Sequence, residues 1–137
     1  MLGSFVSLII PALVCGLSAF LMGLVWYHPK VLGTRWLEAR GKNDRAKMDT
    51  PFPFVLTFLL WLVAGFFYIW IAQTFGIDTM GGLFSLSCLL WVAFAMPPTV
   101  IGSIYTGYPL EAVAIDSSYQ LAGYYMFALI YSLVLMF

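Results

Sequence analysis

All six lysine and arginine residues of this 137-residue chain fall within one short window, Lys30 to Lys47. Stretches 1–29, 50–77, 79–110 and 117–137 contain no Asp, Glu, Lys or Arg. A membrane crossing takes roughly 20 consecutive apolar residues, and each of these stretches is long enough for one. The pattern predicts an all-α integral membrane protein. Specifically, it predicts a four-transmembrane-helix bundle forming a single transmembrane domain over residues 1–137. Composition agrees: 63% of residues are hydrophobic, 9% are charged and mean hydropathy is +0.97. A soluble domain carries about 25% charged residues to cover its surface.

Prolines and glycines set the boundaries, with helices expected at about 5–27, 53–75, 83–105 and 109–136. Pro29 disfavours helix at His28, which ends the first span. Pro51 and Pro53 suit the first turn of the second, where their missing N–H groups would be unpaired anyway. Gly76 to Gly82 reads as a tight turn, and the segment around Gly107-Tyr108-Pro109 as another. Met1 to Pro29 has no basic n-region and is too long for a signal core, so it reads as a span. Cys15 and Cys88 fall inside apolar spans and read as small packing residues.

Charge sets the expected orientation. The 28–50 loop carries six basic residues against Glu38, Asp44 and Asp49, a net +3, and the other connections carry no Lys or Arg. The positive-inside rule makes it a basic cytoplasmic loop, and an even number of spans puts both termini on the non-cytoplasmic side. Trp26, Tyr27, Tyr105 and Tyr108 then mark the cytoplasmic interface, with Tyr68 and Trp70 near the opposite one. Trp61 and Trp91 fall near mid-span, where they serve as core packing or as a stacking platform for a ligand.

In lipid, helices associate by close backbone approach through small residues. The first span offers Ala12, Gly16, Ala19 and Gly23 along one face, and the third offers Ser85, Cys88, Val92, Ala95, Thr99 and Gly102. These two faces are expected to pack together. Pro97 and Pro98 remove two backbone donors and clash one turn earlier, which predicts a kink near Ala93 and Phe94. Interrupted helices line the sites of many transporters, although kinks without that role are common.

At Trp26-Tyr27-His28-Pro29, followed by Leu32-Gly33 and Trp36, the chain resembles the family catalogued as domain of unknown function 1761. The final helix is similar too, with Asp116 followed by Tyr119. The resemblance covers nearly the whole chain. It implies a bacterial membrane protein of four helices and supplies no activity. Pro97-Pro98 departs from the family pattern.

The candidate polar cluster lies on the cytoplasmic side: His28, Lys30 and Arg35 after the first helix, Glu111 and Asp116 at the start of the fourth. It can bind a phosphate or lipid headgroup, or simply steady the bundle, since carboxylates near a helix N-terminus favour its dipole. Asp116, Gln120 and Gly123 share one face of the fourth helix and are expected to point inward. Gly33 to Arg40 reads as a short helix on the membrane surface, with a Glu38–Lys42 pair if it continues past Gly41.

No HExxH, nucleophile elbow or phosphate-cradling loop is present, and the residues suggest no catalytic group, metal or cofactor. None of the four spans has a carboxylate at its middle, which argues against a proton-coupled antiporter. The net +3 loop is explained by topology, so nucleic acid is not an expected partner. What remains is a bacterial cytoplasmic (inner) membrane protein whose partners are the lipid bilayer and a homo-oligomer or larger membrane complex. An accessory or scaffold subunit is the leading expectation. A small oligomeric channel or transporter is the alternative, and a lipid-headgroup-binding or lipid-processing protein the third. Polar side chains Gln73, Ser85, Thr99 and Gln120 sharing a cavity would favour the second; His28 meeting the two carboxylates would favour the third.

Overall fold

A computed structural model describes residues 2–40 and 51–137. The expected Glu38–Lys42 pair and the 41–50 part of the basic loop lie outside the described residues. The described chain is helical with short connections: α1 (Leu2–Trp26), α2 (Thr34–Arg40), α3 (Phe52–Thr74), α4 (Met80–Leu90), α5 (Met96–Thr106) and α6 (Leu110–Leu135). Two π-helical turns are interposed, Pro29–Gly33 before α2 and Trp91–Ala95 between α4 and α5.

Among the described residues, three stretches are long and apolar enough to cross a membrane: Val6–Trp26, Phe52–Thr74 and Met80–Thr106. The last is one rod made of α4, the π turn and α5. Within that turn the chain hydrogen-bonds five residues back, Met96 N–H to Trp91 O, directly ahead of Pro97 and Pro98. A widened turn of this kind absorbs backbone that proline leaves without its usual partner. Gly107, at φ +69°, stops α5 in the left-handed conformation that glycine adopts without a Cβ penalty. The remaining long helix, α6, has 26 residues and is more polar, with Glu111, Asp116, Ser117, Ser118 and Gln120 in its first half.

α6 is the hub. It packs antiparallel on α1, as the Trp26–Ile115 and Cys15–Phe127 hydrogen bonds show, and antiparallel on α4 through Ser87–Tyr124. α1 also packs antiparallel on α3, where Gln73 of α3 donates to Ser7 O. The α1–α3 contact is backbone-close: a Cβ on Gly16 would stand 2.9 Å from Leu62 Cα, and one on Gly65 would stand 3.0 Å from Ala12 O.

The core is centred on Cys15, Ala19, Tyr68, Ile69, Leu83, Phe127 and Ala128. Tyr68 is buried there, its hydroxyl 2.8 Å from Leu83 O and 2.9 Å from Ser87 Oγ. It is therefore not the interfacial belt residue expected from the sequence. A phenol with two partners at hand is satisfied inside the bundle and gains nothing from the membrane surface.

The expected pairing of the first and third small-residue faces does not form. Ala12, Gly16, Ala19 and Gly23 are buried, but against α3 and α6. On the other rod Ser85 bonds its own helix at Gly81 O, Cys88 meets Tyr125, and Gly102 has open space beside it. The reason is steric. α6 presents Tyr119, Gly123 and Phe127 to the groove that α1 and α3 leave, so α6 fills the position that the α4–α5 rod would need.

Candidate functional site

Away from that core the helices stand apart and leave a cleft with two lobes. The first, about 430 Å³, is lined by Phe20, Gly23 and Leu24 of α1, Tyr27, Trp36 of α2, Pro53, Phe54 and Thr57 of α3, and Tyr119. The second, also about 430 Å³, is lined by Tyr27, Thr57, Leu60, Trp61, Thr99, Asp116, Tyr119 and Gln120. Tyr27, Thr57 and Tyr119 line both lobes, so the two adjoin. The second lobe is bounded by α3, α5, α6 and Tyr27, just past the end of α1.

Local sequence explains how each wall is placed. After α1 the chain turns at His28, whose Nδ1 accepts from Lys30 N–H at 3.1 Å. Gly33 lets the chain return so closely that a Cβ would overlap the Tyr27 carbonyl. α2 is thereby folded back, and Trp36 meets the Tyr27 ring edge-on with centroids 5.2 Å apart. Tyr119 reaches across to α1 because Gly23 has no side chain in its path, and Trp61 lies against Gly123 for the same reason. The rings Trp36, Tyr27, Tyr119, Trp61 and Phe127 form an edge-to-face series with centroids 5.2–5.5 Å apart. That is the arrangement aromatic quadrupoles favour.

The polar atoms form a connected set. Tyr27 donates its hydroxyl to Asp116 Oδ1 at 2.5 Å, a charge-assisted bond. Trp61 Nε1–H donates to Tyr119 Oη at 2.7 Å, and the Tyr119 hydroxyl donates to Ala19 O at 3.4 Å. Thr99 Oγ1 donates to Ala95 O at 2.8 Å and stands 3.3 Å from both Oε1 and Nε2 of Gln120. Two further indoles hold the α6 backbone on either side of Asp116: Trp26 donates to Ile115 O at 3.2 Å, and Trp91 to Ser117 O at 2.8 Å.

The residues expected to form one cytoplasmic-side cluster are divided. Arg35 pairs with Glu111 at 3.4 Å, with the two side chains 70% and 55% exposed. A pair so open to solvent contributes about 0–1 kcal/mol. His28 and Lys30 bond each other across their own turn, and Asp116 takes Tyr27. Of the four polar residues singled out, Thr99 and Gln120 share the cleft. Ser85 and Gln73 do not: the first bonds its own helix and the second Ser7 O.

Sequence reasoning set Tyr27 near the polar cluster and Tyr119 in the family pattern without making either a site residue, and passed over Thr57. Tyr27 read as an interface marker and Thr57 as one more residue of a span. The usable signal was the Asp116, Tyr119, Gln120 spacing, which puts a carboxylate, a phenol and an amide on one helical face.

Taken together, the fold is that of an all-helical protein with three helices suited to crossing a membrane and a polar-aromatic cleft beside its most polar helix. The profile of the family described as "Protein of unknown function (DUF1761)" matches residues 10–132, and the chain belongs to that family. Neither the curated proteins nor the solved structures yield a match.

Proposed function

We propose that this protein is a four-span membrane protein, with α6 as the fourth span, whose cleft admits a small amphiphilic molecule from the bilayer, as a binding or transport unit. The observation that carries this reading is the gathering of Thr57, Thr99, Asp116 and Gln120 with three aromatic walls in one cleft among α3, α5 and α6. Thr99 and Gln120 share the cleft, while Gln73 and Ser85 lie apart from it. An apolar pocket with a few convergent polar groups is the usual form of a small-molecule site.

The charge pattern supports the placement. Glu111 and Arg35 lie at the end of the bundle from which the basic loop leaves, which on the positive-inside rule is the cytoplasmic end, with both chain termini opposite. The proposed setting is the bacterial inner membrane. A reporter fused after Phe137 should be active only outside the cytoplasm; cytoplasmic activity would overturn the topology.

The cleft is tested by a neutral, lipid-soluble diazirine probe in native membranes, with labelled residues mapped by mass spectrometry. Labelling should concentrate on Trp61, Thr99 and Gln120 and be competed by excess unlabelled compound. Uniform, non-saturable labelling of exposed residues outside the cleft such as Leu59, Leu21 and Ile104 would refute the reading.

A second reading, an accessory subunit or homo-oligomer, is favoured by α5. That helix buries no residue within the chain, and Gly102 has open space beside it. The mass of the particle extracted in native lipid separates the two. A stoichiometric foreign partner seated on α5 supports the subunit reading, and a homo-oligomer free of other proteins supports the transport reading.

A further inference from the structure

We infer that the molecule taken by the cleft presents a paired hydrogen-bond donor and acceptor on an apolar body, as a carboxamide or lactam does, and that Gln120 reads that pair; this rests on the ligand-binding reading above and names its substrate class. At one corner of the second lobe Thr99 of α5 meets Gln120 of α6. A threonine hydroxyl has one hydrogen to give. That of Thr99 goes to Ala95 O, 2.8 Å away on its own helix, rather than to Gln120 Oε1 at 3.3 Å. Thr99 Oγ1 therefore accepts from Gln120 Nε2, also at 3.3 Å.

That leaves the amide half used. A glutamine side chain has two N–H hydrogens and an oxygen with two lone pairs. Among the described residues Thr99 is the partner of Gln120, so Oε1 receives no hydrogen and the second hydrogen of Nε2 has no acceptor. In water the solvent completes such a set, whereas inside a membrane bundle an unfilled amide is costly.

A carboxamide or lactam completes it with two parallel bonds: its N–H gives to Oε1 and its C=O takes the remaining Nε2 hydrogen. A ketone, ether or ester offers the acceptor alone and leaves Oε1 bare. A site built to bond a donor rejects the analogue that lacks it. The pairing does not draw on the charge of Asp116. Trp61 and Tyr119 wall the same lobe, and Thr57 and Tyr119 carry it over into the first. There Phe20, Leu24 and Phe54 give apolar walls for the rest of the molecule.

Naphthalene carboxamide and acetonaphthone have nearly the same shape and differ in an amino group against a methyl group, which makes them suitable probes. The full-length protein in nanodiscs of zwitterionic lipid is dialysed to equilibrium against each radiolabelled compound. Each affinity is corrected for the amount taken up by empty discs. The carboxamide should bind at least about tenfold more tightly than the ketone. Gln120→Met, which keeps the length and apolar reach of the side chain, should bring the carboxamide down to the affinity of the ketone and leave ketone binding and the unfolding temperature little changed.

Equal saturable binding of the two compounds, or tighter binding of the ketone, overturns the amide class and leaves the ligand-binding cleft standing. Saturable binding of neither overturns the cleft as well. A Gln120→Met protein that keeps the full preference overturns the assignment to Gln120. If that variant does not fold, the carboxamide-to-ketone ratio of the native protein decides the class. Thr57→Trp, which fills space shared by both lobes, should then abolish carboxamide binding, and unaltered binding would place the compound elsewhere and overturn the site.

Discussion

Around Cys15, Tyr68 and Phe127 the helices close on one another, while around Asp116 and Thr99 similar helices stand apart. In the first region small residues meet backbone: Gly16 faces Leu62, Gly65 faces Ala12, and Phe127 is wholly enclosed. In the second, the rings of Tyr119 and Trp61 meet each other and lie over Gly23 and Gly123, filling the space between α1, α3 and α6. The share of each apolar window buried within the chain follows the same division, 33% for Val6–Trp26 against 11% for Met80–Thr106. Hydrophobicity alone does not distinguish these rods, since lipid satisfies an apolar side chain as well as a neighbouring helix does. What distinguishes them is whether a partner backbone can come close.

The contrast is open to direct attack. The largest effect is expected from Phe127→Ala, which empties the enclosed core and should lower stability by about 3–5 kcal/mol. Unfolding in sodium dodecyl sulfate from mild-detergent micelles would measure it. Phe94→Ala on the open rod, where the ring is 71% exposed, should change stability by less than about 0.5 kcal/mol. Equal losses at the two positions would erase the distinction between the regions.

Next in size is the same substitution placed on each small-residue face. Gly16→Leu drives a side chain into the α3 backbone and should cost about 1–3 kcal/mol, whereas Gly102→Leu enters open space and should cost about 0.5 kcal/mol or less. A large loss at Gly102 in lipid, absent in a monomeric detergent state, would mean that a partner covers α5. Tyr68→Phe removes a hydroxyl bonded to Leu83 O and Ser87 and should cost about 0.5–1.5 kcal/mol, read by the same unfolding assay. A small change is also expected at Arg35→Ala, within about 1 kcal/mol and smaller still at high salt, because both partners of its pair are exposed.

Several features of the fold were legible beforehand. The charge-free stretches and the prolines at 29, 51, 53 and 109 located the long helices to within a few residues, because apolar length and proline are local signals. Pro97 and Pro98 led to the expectation of a kink near Ala93 and Phe94; what the structure has there is a π turn, Trp91–Ala95. The site was only partly legible. Asp116 and Gln120 announced an inward face by their spacing and Tyr27 fell near the expected cluster, while Thr57 carried no sign of its role.

What the sequence determined by itself was which segments are apolar, where they stop and which connection is basic. These depend on each residue's own transfer free energy and backbone preference, and they hold whatever the neighbours are. Tertiary structure alone decided that α6 lies between α1 and α4, that Tyr68 is core, and that Tyr119 passes Gly23 to meet Trp61. Those outcomes depend on which surface fits which across the bundle. In a chain whose faces are nearly all apolar, hydrophobic pattern assigns no partner to any face, and only the shapes of glycines and rings brought together by the fold can choose one.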